Sequence, residues 1–491
     1  MKSENTQIEH PGNQTSRINT IFSFIFINVF RNIIGILRNK ILAVTYGASS
    51  IGLLGQFLNF DGITGKIILF GSTASLVNTY HDAERLNIQK SIVILAHFIL
   101  ISFSGIVNLS ILWLFSSEFA GLIYLDRQYV NLIYIGIGLN IIYAASTFLE
   151  LILQAGQQFK DLFKARIAGL VVGIVTLYPL LINWNIEGVI INMIILYAVS
   201  FTFLIYKLGI FTRLRVVLFL ESIQKLKISI FRLIFKVMFT DLSRSLIVYG
   251  SLLIVRIIVI QALGEGDAGY YHACLSISNY LNIILEGFIV YFYPVICAAQ
   301  SDKDIMTETN LNFEILFYLV FPVIILIELF PAQLIQLLYS GDFVHISFLL
   351  ALLICTKILY LYYYFFTISF LAKSFLKKFL LIESVRSILL ISSTYICMIF
   401  WQFSGAIYAL VVTEILSFIV VWALKRKLTK FAINSDNRKN ILYIVLISIF
   451  ILANPFDKLY MVIAVIVMTV LLFDMRKYLL VMNIVRSFLK R

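Results

Sequence analysis

Arg31 and Arg38 lie seven residues apart in the first apolar run of the chain, on one helical face two turns apart, and that run contains no acid. Lys66 follows in the second run, 15 residues after Ile51, which places it about 22 Å along a helix. Arg256 takes a place in the second half of the chain much like that of Arg38 in the first. An ionisable group at mid-bilayer costs about 2.5 kcal/mol or several times that and is functional by default. Guanidinium can grip phosphate oxygens bidentately, and ammonium acts as a point charge. Arg38, Lys66, Arg31 and Arg256 are therefore the candidate anion-binding residues, whereas Lys40 points elsewhere and is expected to snorkel outward.

Acids also occur within apolar runs. Asp61, Glu150 and Glu286 have no local cation, so each is a candidate for binding a coupling proton or sodium ion, or for pairing across helices. Asp241 with Arg244, and Glu383 with Arg386, stand three apart on shared faces and are expected to form structural ion pairs. Tyr360, Tyr362, Tyr363 and Tyr364 suit either stacking on sugar rings or an interfacial aromatic belt. His97 and His272 read as satisfied core histidines. Cys274, Cys297, Cys355 and Cys397 lack metal or redox spacing and read as small buried hydrophobes. No metal site or organic cofactor is expected.

These charges must be held by membrane-spanning helices. Of 491 residues, 60% are hydrophobic and 13% charged, against about 25% charged in a soluble domain. The fold class is all-α, a polytopic bundle of about fourteen spans of about 20 residues each. The spans lie near 18–46, 51–80, 91–115, 129–153, 163–183, 186–207, 236–262, 268–298, 312–330, 346–371, 379–400, 404–424, 440–453 and 458–473. The stretch 1–17 is polar and the run after it is too long for a signal h-region, so the first span is expected to be retained. Of the 39 Lys and Arg, 29 fall in or beside alternate connections, two (Arg127 and Lys458) in the others and eight within spans. By the positive-inside rule both termini are cytoplasmic, and the net charge of +13 needs no nucleic acid. Two basic stretches, around 208–235 and 474–491, read as amphipathic segments on the anionic inner leaflet.

Three sequence pairs repeat in order. Gly47 and Gly52 recur as Gly264 and Gly269, and Gly188 recurs as Gly405, all at one displacement along the chain. Leu114-Phe115…Tyr124 recurs as Leu329-Phe330…Tyr339, at nearly the same displacement. The expected division is a tail at 1–17, a lobe of six spans at 18–207, a linker at 208–235, a second lobe of six spans at 236–424, two more spans within 440–473 and a tail at 474–491. Six is even, so the lobes are parallel repeats, and transporters of this build carry substrate between them.

The stretch from Arg38 through Gly47 with the following Gly52, the Phe292-Tyr293-Pro294 motif, and Leu329-Phe330-Pro331 with Leu338 to Phe343 resemble the Wzx-type O-antigen flippases over about residues 18–430. These belong to the MOP superfamily with the lipid II flippases and the MATE exporters. The resemblance implies movement of an undecaprenyl-pyrophosphate-linked oligosaccharide from the inner to the outer leaflet of the bacterial inner membrane. It also implies membrane lipids, a polysaccharide polymerase and chain-length proteins as partners. Lipid II flippases carry cavity-facing cations on their first two helices; aligning on Gly47-Ala48 brings Arg38 and Lys66 to those positions. They also carry an arginine after an aromatic pair on the eighth helix, where this chain has His272 and Ala273 after Tyr270-Tyr271. The alternatives are a small-molecule exporter, which usually needs an acidic cavity, and a membrane glycosyltransferase or polymerase, which commonly needs a large outer loop. The outer loops here are short, and no nucleophile or metal constellation occurs, so a transporter rather than an enzyme is expected.

Overall fold

The structure is a computed structural model that describes residues 11–83, 88–156, 158–209, 228–282, 284–285, 296, 302–372, 375–428, 434–453 and 458–472. Among them there are helices and turns and no β-strand. In chain order the α-helices are α1 (Pro11–Leu69), α2 (Ser72–Asp82), α3 (Lys90–Leu114), α4 (Ser116–Ile123), α5 (Val130–Ala155), α6 (Phe159–Leu208), α7 (Ile228–Tyr280), α8 (Asp302–Leu329), α9 (Pro331–Leu338), α10 (Ser347–Cys355), α11 (Lys357–Ala372), α12 (Leu376–Leu428), α13 (Ser435–Ala453) and α14 (Lys458–Leu472). Eight stretches are long and apolar enough to cross a membrane, and the chain is a multi-pass membrane protein. The basic stretch 210–227, the C-terminal tail and Phe292-Tyr293-Pro294 lie outside the described residues.

Four of those eight stretches contain a backbone break, and the breaks come in matched pairs. Gly47 in α1 has φ 75° and ψ −167°, and Gly264 in α7 has φ 81° and ψ 179°. Asn185 in α6 has φ 48° and ψ −125°, and Gln402 in α12 has φ 46° and ψ −123°. Both pairs stand at the displacement of the sequence repeat. After each break in α6 and α12 a glycine lets the chain fold back on itself. A Cβ at Gly188 would strike the carbonyl of Leu180, and one at Gly405 that of Cys397, the equivalent residue of the second half. Glycine is needed there because backbone, not side chain, is the neighbour.

The third pair is structural as well. Two eight-residue helices, α4 and α9, follow Phe115 and Phe330 and end at Tyr124 and Tyr339, both of which are buried. Sequence periodicity reads these stretches only as connections, because so short a helix does not show a period. Two expected spans are subdivided. The second breaks at Phe70-Gly71, where φ is 48° and 71°, and the tenth is split at Thr356 between α10 and α11.

Candidate functional site

The two broken helices α1 and α7 pack along each other and form the centre of the molecule. Their contact is reciprocal. A Cβ at Gly52 would strike the carbonyl of Glu265, and a Cβ at Gly269 that of Ala48; each contact maps onto the other by the shift of the repeat. Counting from the breaks at 1.5 Å per residue, Arg38, Gly55, Arg256 and His272 each lie about 12 to 14 Å along their helices. The four residues therefore share one layer.

In that layer the structure brings Arg38 and Arg256 together around His272. Arg256 is buried and its Nη2 donates to Nδ1 of His272 at 2.7 Å, with the Tyr271 ring 5.8 Å from the guanidinium carbon. His272 and Ser276 are joined at 3.3 Å through Nε2. Gly55 leaves the space that Arg256 and His272 occupy, since a Cβ there would overlap both. Arg38 is half-buried and its Nε donates to Oδ1 of Asn39 at 3.4 Å; His272, Tyr280 and Tyr339 lie within electrostatic reach of its guanidinium. Asn39 donates to the Tyr339 hydroxyl at 3.2 Å. Among the described residues no carboxylate lies within ion-pairing distance of Arg38 or Arg256. Two guanidiniums, one from each half of the chain, thus share a layer in which, among the described residues, the groups beside them are neutral. Guanidinium donors placed this way have the geometry to grip oxygens bidentately.

A family model described as polysaccharide biosynthesis protein matches residues 51–348, more than half of the chain. The chain belongs to that polysaccharide biosynthesis protein family. Among solved structures, the inward-facing conformation of a multidrug resistance MATE family transporter of the MOP superfamily is 16% identical, with 84% of this chain and 98% of that chain covered and a TM-score of 0.70. A MOP superfamily transporter from Pyrococcus furiosus, described by the reverse polarity of its binding pocket, is 16% identical, with 84% and 96% covered and a TM-score of 0.63. Lipid II flippase MurJ in an inward closed conformation is 15% identical, with 95% and 100% covered and a TM-score of 0.61. At these identities the likeness is one of fold, and the fold is that of the MOP superfamily. No curated protein sequence is significantly similar to the chain.

In this member of the polysaccharide biosynthesis family the remaining candidates are spread more widely than their sequence positions suggest. Lys66 does not join Arg38. It lies well beyond Gly47, about 28 Å along its helix and so about 15 Å out of the arginine layer. It lines a separate cavity of about 260 Å³ with Thr73, Asp241, Arg244, Ser245 and Tyr249, its ammonium 5.9 Å from the centre of the Tyr249 ring. Arg31 is exposed, two turns from Arg38 towards the N-terminus. Lys40 does not snorkel outward; its Nζ donates to the carbonyls of Gln336, at 2.7 Å, and Tyr339, capping the C-terminal end of α9, where the helix dipole favours a cation.

The acids divide in the same way. Asp61 is held by an amide, accepting from Nδ2 of Asn140 at 2.8 Å, and among the described residues it has no cationic partner. Glu150 does have one: Arg166 places Nη2 at 2.7 Å and Nε at 3.1 Å from its Oε2. The partner lies on the next helix, beyond the turn at Gly156, so no local spacing reveals it. Glu286 lies outside the described residues.

Of the two expected structural pairs, Asp241 and Arg244 meet at 3.9 Å, and Thr73 donates to the other oxygen of Asp241 at 3.0 Å. Glu383 and Arg386 do not close into a salt bridge. Arg386 instead meets Glu414 at 3.0 Å, while Glu383 lies against the Tyr363 hydroxyl. Sharing a helix face permits a pair but does not require it, and here the next span offers a carboxylate from across the interface. Tyr360 and Tyr363 lie beside Arg386, whereas Tyr362 packs against Phe313 and Phe418. Tyr360 lies between Lys357, at 4.4 Å, and Arg386, at 5.0 Å; Tyr362 and Tyr363 are buried, while Tyr360 and Tyr364 are half-buried. His97 is a core histidine, bonded to Ser75 at 3.1 Å and to the Val93 carbonyl at 2.9 Å. His272 is likewise buried and bonded at both ring nitrogens, with Arg256 as one of its partners. Cys274, Cys355 and Cys397 are buried and free.

Proposed function

We propose that the chain is a flippase for an undecaprenyl-pyrophosphate-linked oligosaccharide, an O-antigen or related surface polysaccharide repeat unit, moved from the inner to the outer leaflet of the bacterial inner membrane. Arg38 and Arg256 hold the pyrophosphate between two parallel lobes, 18–207 and 236–424, which rock against each other in alternating access. The observation that carries this reading is that a buried Arg256 and a half-buried Arg38, from opposite halves of the chain, stand around His272 with no carboxylate beside them among the described residues. Two positive charges match the two phosphate charges of a diphosphate diester. Membership of a polysaccharide biosynthesis family supports the glycan, and the likeness to a lipid II flippase supports a lipid-linked carrier.

Lys66 and Arg31 flank the path at other depths. Asp61 is the candidate for a coupling proton or sodium ion, and Glu286 shares that role by its position in the sequence. A MATE-like exporter of cationic compounds is the competing reading. Pocket polarity argues against it, and one relative of this fold is itself described by a reversed polarity that suggests a different function.

The test is made in cells that depend on the chain for surface glycan. Arg38→Ala with Arg256→Ala is expected to leave the protein in the membrane at wild-type level and to abolish surface glycan. Wild-type glycan from the double variant overturns the reading.

A further inference from the structure

The partner of Arg256 is unusual for a buried cation. Its Nη2 donates to an imidazole nitrogen, not to a carboxylate. Guanidinium has no acceptor to offer and keeps its proton, so Nδ1 of His272 must be the bare nitrogen and the ring is neutral, with its hydrogen on Nε2 towards Ser276. The charged and titratable groups facing this ring are Arg256 and Tyr271 on α7, Arg38 on α1 and Tyr339 at the end of α9. Gly55 lies against the ring, and the next residue, Gln56, donates to the backbone carbonyl of Arg256 at 3.1 Å. Nothing acidic is present among the described residues around the ring.

A carboxylate in place of His272 would neutralise Arg256 and hold it. A neutral acceptor leaves the charge in place and holds it less firmly. It orients the guanidinium, satisfies one donor and leaves the positive charge uncompensated. Handing Arg256 to an anion then breaks only one hydrogen bond to a neutral group, whose net worth is equivalent to a factor of about ten or less. The place in the repeat fits this reading. His272 is the counterpart of Gly55 at the displacement of the repeat, so the side chain is present in one half only, on the side from which Arg256 comes.

We propose that His272 is a positioning residue, an exchangeable neutral acceptor that parks Arg256 in the empty site and releases it to the diphosphate when the substrate binds. This rests on the anion-site reading above. It adds that the empty site is held in an occluded arrangement by a bond that the substrate must displace. The site therefore favours anions with enough oxygens to replace that bond while also engaging Arg38.

The test measures binding of farnesyl diphospho-N-acetylglucosamine to the full chain in lipid nanodiscs, with thermal melting recorded alongside. Arg256→Ala is expected to weaken binding about tenfold or more. His272→Leu fills the volume without an acceptor and is expected to bind more tightly than wild type, by about fivefold, the size of one net hydrogen bond. His272→Asn, which returns a neutral acceptor, is expected to restore wild-type affinity. Should His272→Leu fold only with ligand present, its melting shift on adding the diphosphate is compared instead, and a larger shift than wild type is expected. Wild-type binding by Arg256→Ala overturns the anion-site reading itself. Weakened binding by Arg256→Ala together with equal or weaker binding by His272→Leu overturns the parking role alone.

Discussion

Gly52 and Gly269 are related by a local two-fold: each lies against the carbonyl that corresponds, in the other half of the repeat, to the one its partner touches. A closed reciprocal contact of this kind is what a two-fold interface between identical subunits requires, here realised within one chain. It sets how closely α1 and α7 approach and so where Arg38 and Arg256 can meet.

Alanine at either glycine must push two backbones apart. Gly52→Ala and Gly269→Ala are each expected to cost about 1–3 kcal/mol. The double variant is expected to cost less than the sum, because the first displacement makes room for the second. Thermal melting of the detergent-solubilised protein checks this; strict additivity would mean that the two contacts are independent.

The breaks at Asn185 and Gln402 place non-glycine residues at φ 48° and 46°, where side chains are strained by about 1–3 kcal/mol. Asn185→Gly and Gln402→Gly are therefore expected to raise stability by about 1 kcal/mol each, read as a higher melting temperature with transport unchanged. A fall in melting temperature for both would show that these side chains stabilise the breaks.

Glu150 and Asp61 separate by partner. Removing the charge of Glu150 takes one carboxylate from the partly exposed Arg166, so Glu150→Gln is expected to destabilise the protein by about 1–3 kcal/mol, between an exposed and a buried pair. Asp61→Asn keeps a group that can pair with Asn140 and is expected to leave the melting temperature near wild type while removing the response of transport to an imposed proton or sodium gradient. Gradient-driven transport that survives Asp61→Asn excludes it as the coupling site.

In the second half of the chain, a double-mutant cycle distinguishes the partner observed from the one that spacing suggests. Arg386→Leu with Glu414→Leu is expected to show a coupling above about 1 kcal/mol, and the same cycle with Glu383 a smaller one.

Much of this architecture is readable in the sequence, because its determinants are local. The matched glycines record where backbone meets backbone, and the lack of an acid in the run that holds Arg38 agrees with the lack, among the described residues, of a carboxylate beside it. Depth was readable too: counting from Gly47 already separates Lys66 from Arg38. What the sequence hides is azimuth and distant partnership. Arg256 reaches the arginine layer only because α7 turns that face towards Gly55, and Arg166 finds Glu150 only after the chain reverses at Gly156. Arg386 chooses Glu414 over a neighbour three positions away for the same reason. The short helices α4 and α9 escape detection because a repeat, and not a period, is their only mark.

The central claim is that one diphosphate sits between Arg38 and Arg256. It is tested most directly by photo-labelling the full chain in nanodiscs with a prenyl diphospho-sugar that carries a diazirine beside the phosphates, then mapping the modified peptides. Labels are expected in the stretches around 34–55 and 252–273, lost when Arg38 and Arg256 are both replaced by alanine. Labels confined to the surroundings of Lys66 or Asp61, or unaffected by the double replacement, would contradict the account.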